Sequence, residues 1–182
     1  PDVPFRQGTM ILVVAASRHP RTRDQVLALL TRGVRVVAPP VEWFTDPSAS
    51  TAPVVCDLMT LGTSQSCRNS PVVLTTVGLP TIPVQGSLMT GKLGRVVRDL
   101  VETGRLAGMV LTGGDTAIAA ADALEVEALW LRGEVRSGMP WGLWLGGAGE
   151  GLPVVTKAGG FGETDALIAA IDHIRNLARD RQ

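Results

Sequence analysis

The chain has 182 residues, and its 17 Lys+Arg balance 17 Asp+Glu, so it offers neither the basic field of a polyanion binder nor an acidic tail. Hydrophobic residues make up 45%, enough for a folded core, while 21 Gly and 12 Pro with only 4% aromatics point to tight turns between small-residue helices, the make-up of α/β layers. Cys56 and Cys67 form no CxxC pair and have no His cluster near them, which argues against zinc and leaves both as buried or incidental thiols. No apolar run reaches the roughly 18 residues of a spanning helix, and the N-terminus lacks a signal-peptide pattern. A cytoplasmic protein with neither nucleic-acid nor membrane partner is expected.

Residues 1–9 read as a tail or the cut edge of a longer chain. Met10 to Ala16 is a continuous apolar run that predicts a central parallel strand ending at Ser17. A helix follows with Val26, Leu29 and Leu30 on one face, Thr22 as its cap and Gly33 as its stop. Val34 to Ala38 is a second strand, so the opening is a strand, helix, strand unit of the kind that makes right-handed parallel crossovers. The Pro-punctuated stretch 39–53 reads as a surface excursion. Short strands are expected at Val54 to Leu58 and Val72 to Thr76, a loop at 78–85, and a helix from Leu93 to Val101 ended by Gly104.

Gly108 to Thr112 is the next strand; Gly113 and Gly114 turn the chain, and Asp115 and Thr116 open an alanine-rich helix over Ala117 to Leu124. Glu127 to Leu131 predicts a strand leading into the glycine-dense GEVRSGMPWGLWLGGAGEG, whose Trp141 and Trp144 either wall a cleft or cover the sheet edge. In GLPVVTKAGGFGETD, β-branched Val154 and Val155 suit a buried strand, and Lys157, Gly159, Gly160 and Gly162 form a turn before a helix at Asp165 to Ala178, capped by Thr164 or Asp165. A helix N-terminus behind such a turn carries unpaired N–H groups and about half a positive charge, so with the Lys157 ammonium it makes an anion seat. The fold class is an α/β three-layer sandwich, with a mostly parallel sheet, helices on both faces and two glycine turns able to face one nucleotide.

Two motifs fall short. GSLMTGKL at Gly86 to Leu93 resembles a phosphate loop, but Leu93 stands where a magnesium-binding hydroxyl belongs. GGAGEG imitates a dinucleotide fingerprint without matching GxGxxG, which disfavours a nicotinamide enzyme. His19 reads as part of the helix start, and Asp115 as either a magnesium ligand or a cap.

SRHPRTRDQV from Ser17, TGGDTA from Thr112, and the long block from GEVRSGMPWGLWLGG to GLPVVTKAGGFG together resemble the C-terminal nucleotide-binding domain of the four-carbon acid sugar kinases, the YgbK-like family. The resemblance spans Ile11 to about Ile174. It implies ATP contacts at Ser17, at the turn Gly113, Gly114, Asp115, Thr116 and at Gly160, with Mg²⁺ bridging phosphates, and a separate N-terminal acid-sugar domain that this chain lacks. The expected function is the ATP-binding part of such a kinase, inactive alone and able to form a homodimer; the alternative is a non-catalytic nucleotide- or metabolite-binding module.

Overall fold

Residues 5–63, 69–79 and 86–179 are described by the computed structural model. The first apolar run forms β1 (Met10–Ala15), every residue of which is buried. After it come α1 (Pro20–Thr31), β2 (Arg35–Val37), α2 (Val41–Thr45), α3 (Ala52–Thr63), β3 (Ser70–Thr75), α4 (Gly86–Glu102) and β4 (Leu106–Thr112). The chain ends with α5 (Gly114–Ala123), β5 (Ala128–Arg136), β6 (Met139–Leu145), β7 (Pro153–Lys157) and α6 (Ala166–Arg179). One 7-stranded sheet has the order β2-β3-β1-β4-β7-β6-β5. The first five in that order run parallel, and the β5–β6 hairpin adds an antiparallel edge.

Alternation along β1 divides the core into two layers. Met10, Leu12 and Val14 pack with Phe44 of α2, Leu58 of α3, and Leu93, Val97 and Leu100 of α4. Ile11, Val13 and Ala15 face the other way, onto Val26 and Leu29 of α1 and Leu167, Ile171 and Ile174 of α6. Helices therefore cover both faces, as a near-continuous apolar strand requires. β1 leaves toward α1 on one face, while its neighbour β4 leaves toward α5 on the other. That reversal is a topological switch point, and open α/β sheets take ligands in the crevice beyond the strand ends there.

Several expectations change. The strand expected at Val54–Leu58 belongs to α3: Pro53 suits a first helical turn, and Val54 and Leu58, one turn apart, are both buried, so helical spacing overrides the β preference of Val54 and Val55. Within 39–53, Trp43 and Phe44 are buried, which is core rather than excursion. The phosphate-loop look-alike lies on α4, which starts at Gly86 rather than Leu93. Its Lys92 is fully buried and donates to the carbonyls of Trp43 at 2.5 Å, Asp46, and Ala49 at 3.5 Å, with the Trp43 ring centroid 4.7 Å away. That lysine fastens α2 to α4 and has no proton left for a phosphate.

The glycine-dense segment is a hairpin, with β5 running to Arg136 and β6 unanticipated. A Cβ on Gly142 would lie 2.3 Å from the Trp130 carbonyl oxygen, so this glycine serves close strand pairing. Trp144 is buried on one face and Trp141 meets His173 edge-on on the other, ring centroids 4.8 Å apart and planes 60° apart, so the two cover opposite faces of the sheet. Cys56 is exposed, which leaves it, of the two expected readings, the incidental thiol; Cys67 and positions 80–85 of the expected loop lie outside the described residues. Arg6 and Thr9 of the expected tail donate backbone bonds to Gly151 and Arg105, at 3.1 and 2.8 Å. Among the described residues no helix is long and apolar enough to cross a membrane.

Candidate functional site

The site is built where β1, β3 and β4 end together. Ala15 pairs with Thr75 on one side and Thr112 on the other. Both threonines are buried, and their hydroxyls donate to β1 carbonyls, Thr75 Oγ1 to Ala15 at 2.7 Å and Thr112 Oγ1 to Val14 at 3.3 Å; Thr76 adds a bond to Ala16 at 3.2 Å. These bonds fix the point at which the chain leaves the sheet. Ser17 then accepts the His19 N–H on Oγ at 3.2 Å, and His19 caps α1 by accepting the Arg21 N–H on Nδ1 at 3.1 Å, with Pro20 following. The cap is thus His19 and not Thr22.

The β4 turn meets this one. Gly113 has φ 94° and ψ 138°, a conformation open to glycine alone, and its N–H donates to the Lys157 carbonyl at 2.8 Å. A Cβ built on it would stand 3.9 Å from Ser17 Cβ, so the two turns are neighbours. Gly113 itself is the N-cap of α5, without a side-chain bond. Gly114, Asp115 and Thr116 supply the first-turn amides, which no helical carbonyl can satisfy. Asp115 is not a cap: it is exposed, and its carboxylate makes no hydrogen bond or ion pair among the described residues.

The β7 turn is put together differently from what its composition suggests. Lys157 is only 3% exposed, and its ammonium bends back to donate to the carbonyls of Ala158, Gly159 and Phe161 at 2.8, 3.2 and 3.0 Å. Burial pushes its pKa down to about 8. The expected anion-binding ammonium is therefore spent inside its own turn. Cβ atoms on Gly159, Gly160 and Gly162 would come within 2.0 Å of Ser17 Oγ, 3.0 Å of His19 Nε2 and 2.6 Å of Ala166 Cβ. Packing against Ser17 and against α6 accounts for Gly159 and Gly162, whereas Gly160 faces the exposed His19 ring.

The turn is clasped from outside as well. Thr22 Oγ1 donates to Gly159 at 2.9 Å, and buried Gln25 donates through Nε2 to Phe161, Gly162 and Glu163 at 3.0, 3.2 and 2.9 Å. Asp165 takes both Arg136 guanidinium nitrogens, at 2.5 and 2.7 Å, which lowers the carboxyl pKa and raises that of the arginine.

A cavity of about 410 Å³ opens over the switch point, lined by Ala16, Ser17, Arg18, Gly86, Met89, Thr90 and Gly113 to Thr116. Its size lies in the range of ligand sites. Of the residues singled out from sequence, Ser17, Gly113, Gly114, Asp115 and Thr116 come together here. Lys157, Gly159, Gly160 and Gly162 do not line it; of these, Gly159 packs directly against Ser17. Arg18, Gly86, Met89 and Thr90 were missed. Arg18 carried a signal, as a cation directly after the strand-ending serine, and it forms no ion pair among the described residues. Gly86, Met89 and Thr90 on α4 lie in the phosphate-loop look-alike, which was set aside because of Leu93; only the crossover brings that helix beside β1. No group of three or more metal-ligating side chains occurs among the described residues. Asp115 alone still fits a magnesium ion bound mostly by phosphate oxygens, since Mg²⁺ commonly takes one or two carboxylates and keeps the rest of its shell for substrate and water.

A parallel α/β sheet with a ligand-sized cavity at its switch point, faced by the amides of a glycine-opened helix, defines a phosphate- or nucleotide-binding domain. The chain belongs to the family described as the nucleotide-binding C-terminal domain, whose model matches residues 12–167. It is 36% identical over 165 residues to a D-threonate kinase of Bordetella bronchiseptica, covering 91% of this chain and 40% of that protein. It is 32% identical to a D-threonate kinase of Salmonella typhimurium, covering 94% and 44%. Among solved structures, a domain of unknown function from Bordetella bronchiseptica, described as a domain-swapped dimer with bound citrate, superposes with TM-score 0.79 at 35% identity, over 92% of this chain and 41% of that one. A Haemophilus influenzae protein shares the fold at TM-score 0.72 and 13% identity, over 97% and 42%. The chain thus spans about two fifths of the length of the relatives it matches.

Proposed function

We propose that this chain is the ATP-binding part of a kinase that phosphorylates a four-carbon acid sugar, a tetronate or its oxidised derivative. The observation that carries the reading is the meeting of the β1 and β4 turns in one cavity, with the first-turn amides of α5 and two unpaired charges, Arg18 and Asp115, around it. Relatives named D-threonate kinase, matched over nine tenths of the chain, support the choice of reaction. ATP phosphates would lie against Ser17 and Gly113 to Thr116, with Arg18 meeting their charge and Asp115 serving Mg²⁺. Gly159 acts through Ser17, by packing against it, and the Lys157 ammonium holds the turn that carries Gly159.

Phosphoryl transfer rests on positioning and on stabilising charge, so nucleotide held here turns over only when an acceptor hydroxyl is set in line. The acceptor would be held by the part of the relatives that this chain does not span. The dimeric form of the citrate-bound relative supports a homodimer, and the proposed use of ATP goes with a cytoplasmic location. Calorimetry of this chain with ATP and Mg²⁺ tests the reading. Binding that weakens with Asp115→Asn is expected, and no heat of binding would overturn it. ADP release with tetronates, once the sugar-binding part is supplied, separates the kinase from a non-catalytic module.

A further inference from the structure

We propose that this chain takes hold of one end of the acceptor, its carboxylate, in a second cavity beside the one assigned to the nucleotide. The inference rests on the kinase reading, and the rest of the acid sugar stays with the part of the relatives that this chain does not span. The cavity encloses about 270 Å³ between the β1 turn, the β3 turn and α4, and shares Ser17, Arg18 and Met89 with its neighbour. Ligand sites in general start at about 300 Å³, so there is room for a small molecule and none for a second nucleotide.

Its charge is one-sided. Arg18, His19 and Arg23 line it, and no acidic side chain does. Neither guanidinium has a hydrogen bond or ion pair among the described residues, so both keep their donors for a ligand, and paired guanidinium N–H groups match a carboxylate. The end of α1 cannot act in their place, because the N–H groups of Arg21 and Thr22 already donate to His19, at 3.1 and 2.9 Å. Hydroxyls suited to a polyol stand beside the cations. Ser17 Oγ accepts the His19 N–H and keeps its own proton to donate, while Thr76 Oγ1 spends its proton on Ala16 and has a lone pair left to accept. Val77 and Leu79 add an apolar wall for the carbon chain. Position separates the acceptor from an unrelated anion. A phosphoryl group moves only between groups held in contact, and the two cavities meet at Ser17 and Arg18. Arg23 lines the second cavity alone, so a carboxylate held there would leave the hydroxyl end of the sugar toward the nucleotide phosphates, with Arg18 between the two anions.

The test is calorimetry on this chain with three probes: threonate; threitol, which has the same carbon skeleton without the carboxylate; and ATP with Mg²⁺. Wild-type chain should bind threonate with a Kd on the order of millimolar and threitol at least about tenfold more weakly. Arg23→Gln, a change at an exposed site, should weaken threonate at least about tenfold and leave ATP within about twofold. Arg23→Lys should fall between wild type and Arg23→Gln for threonate, since it keeps the charge and loses the paired donors. Threonate that gives no heat, that binds no better than threitol, or that binds Arg23→Gln as well as wild type overturns the carboxylate seat, and the nucleotide reading stands wherever ATP still binds. Wild-type chain that binds neither threonate nor ATP overturns both.

Discussion

Alanine placed at Gly91 and at Gly94 should change stability in opposite directions, although the two positions lie less than one turn apart on α4. Intrinsic propensity favours alanine over glycine inside a helix by about 0.8–1 kcal/mol at either site. At Gly91 the new methyl meets nothing within 4 Å among the described residues, so the gain stands nearly whole and Tm should rise by about 2–4 °C for a chain of this size. At Gly94 the methyl would sit 2.5 Å from the Ala119 carbonyl oxygen and 3.2 Å from Ala123 Cβ. The first of these is a backbone atom that cannot rotate away, so α4 and α5 must separate. A methyl this close to a backbone atom belongs at the upper end of overpacking costs, about 2–3 kcal/mol, which outweighs the propensity term and leaves a net loss of about 1–2 kcal/mol. Urea unfolding followed by circular dichroism reads both. Gly94→Ala as stable as the parent, or Gly91→Ala less stable than the parent, would refute the claim that packing demands one glycine and not the other.

Gly159→Ala drives a methyl to 2.0 Å from Ser17 Oγ, so a loss of about 2 kcal/mol is expected; adding Ser17→Gly should return part of it, and a double-mutant cycle without coupling would count against the contact. Lys157 bears on pH dependence: its folded pKa near 8 lies below the ordinary 10.5, so between those values the unfolded chain holds more protons and stability should climb as pH rises through that window. Lys157→Met should flatten that slope, and a slope unchanged in the variant would contradict the assignment. Lys92→Met strands the Trp43, Asp46 and Ala49 carbonyls and should cost about 2–4 kcal/mol by urea unfolding, whereas a loss within about 0.5 kcal/mol would show that water replaces the ammonium.

What could be read from sequence followed from how strongly each element declares itself locally. β1, β4, β7 and α6 are continuous apolar runs or carry helical spacing, and the layer order follows from them. Val54-Val55 misleads because a β-branched pair speaks for a strand until α4 is known to cover it; helix α3 is chosen by tertiary burial of Val54 and Leu58. The hairpin was hidden by its glycines, which serve close strand pairing at Gly142 but look like loop. At the site, Ser17 and the Gly113 turn were found because each directly follows a buried strand. Lys157 stands out in composition as a cation beside glycines, but composition does not say which oxygens it will choose, and its ammonium takes the carbonyls of its own turn.

That distinction orders the site. A glycine in sequence signals an absent side chain, and the neighbour that forbids the side chain is visible only in three dimensions. At Gly159 and Gly160 the neighbours are Ser17 and His19, so the β7 turn presses on the turn that lines the cavity without lining it itself. Thr22 and Gln25 lock that pressure in place with four bonds to the carbonyls of residues 159–163. Ser17 is consequently held between the bonds that end β1 and the clasp behind it, and it loses little freedom when a ligand arrives. Preorganisation of this kind strengthens binding by lowering the ordering cost. Gln25→Ala, far from the cavity lining, should therefore weaken nucleotide binding through Ser17, and the same variant made on Ser17→Gly should show a smaller further loss.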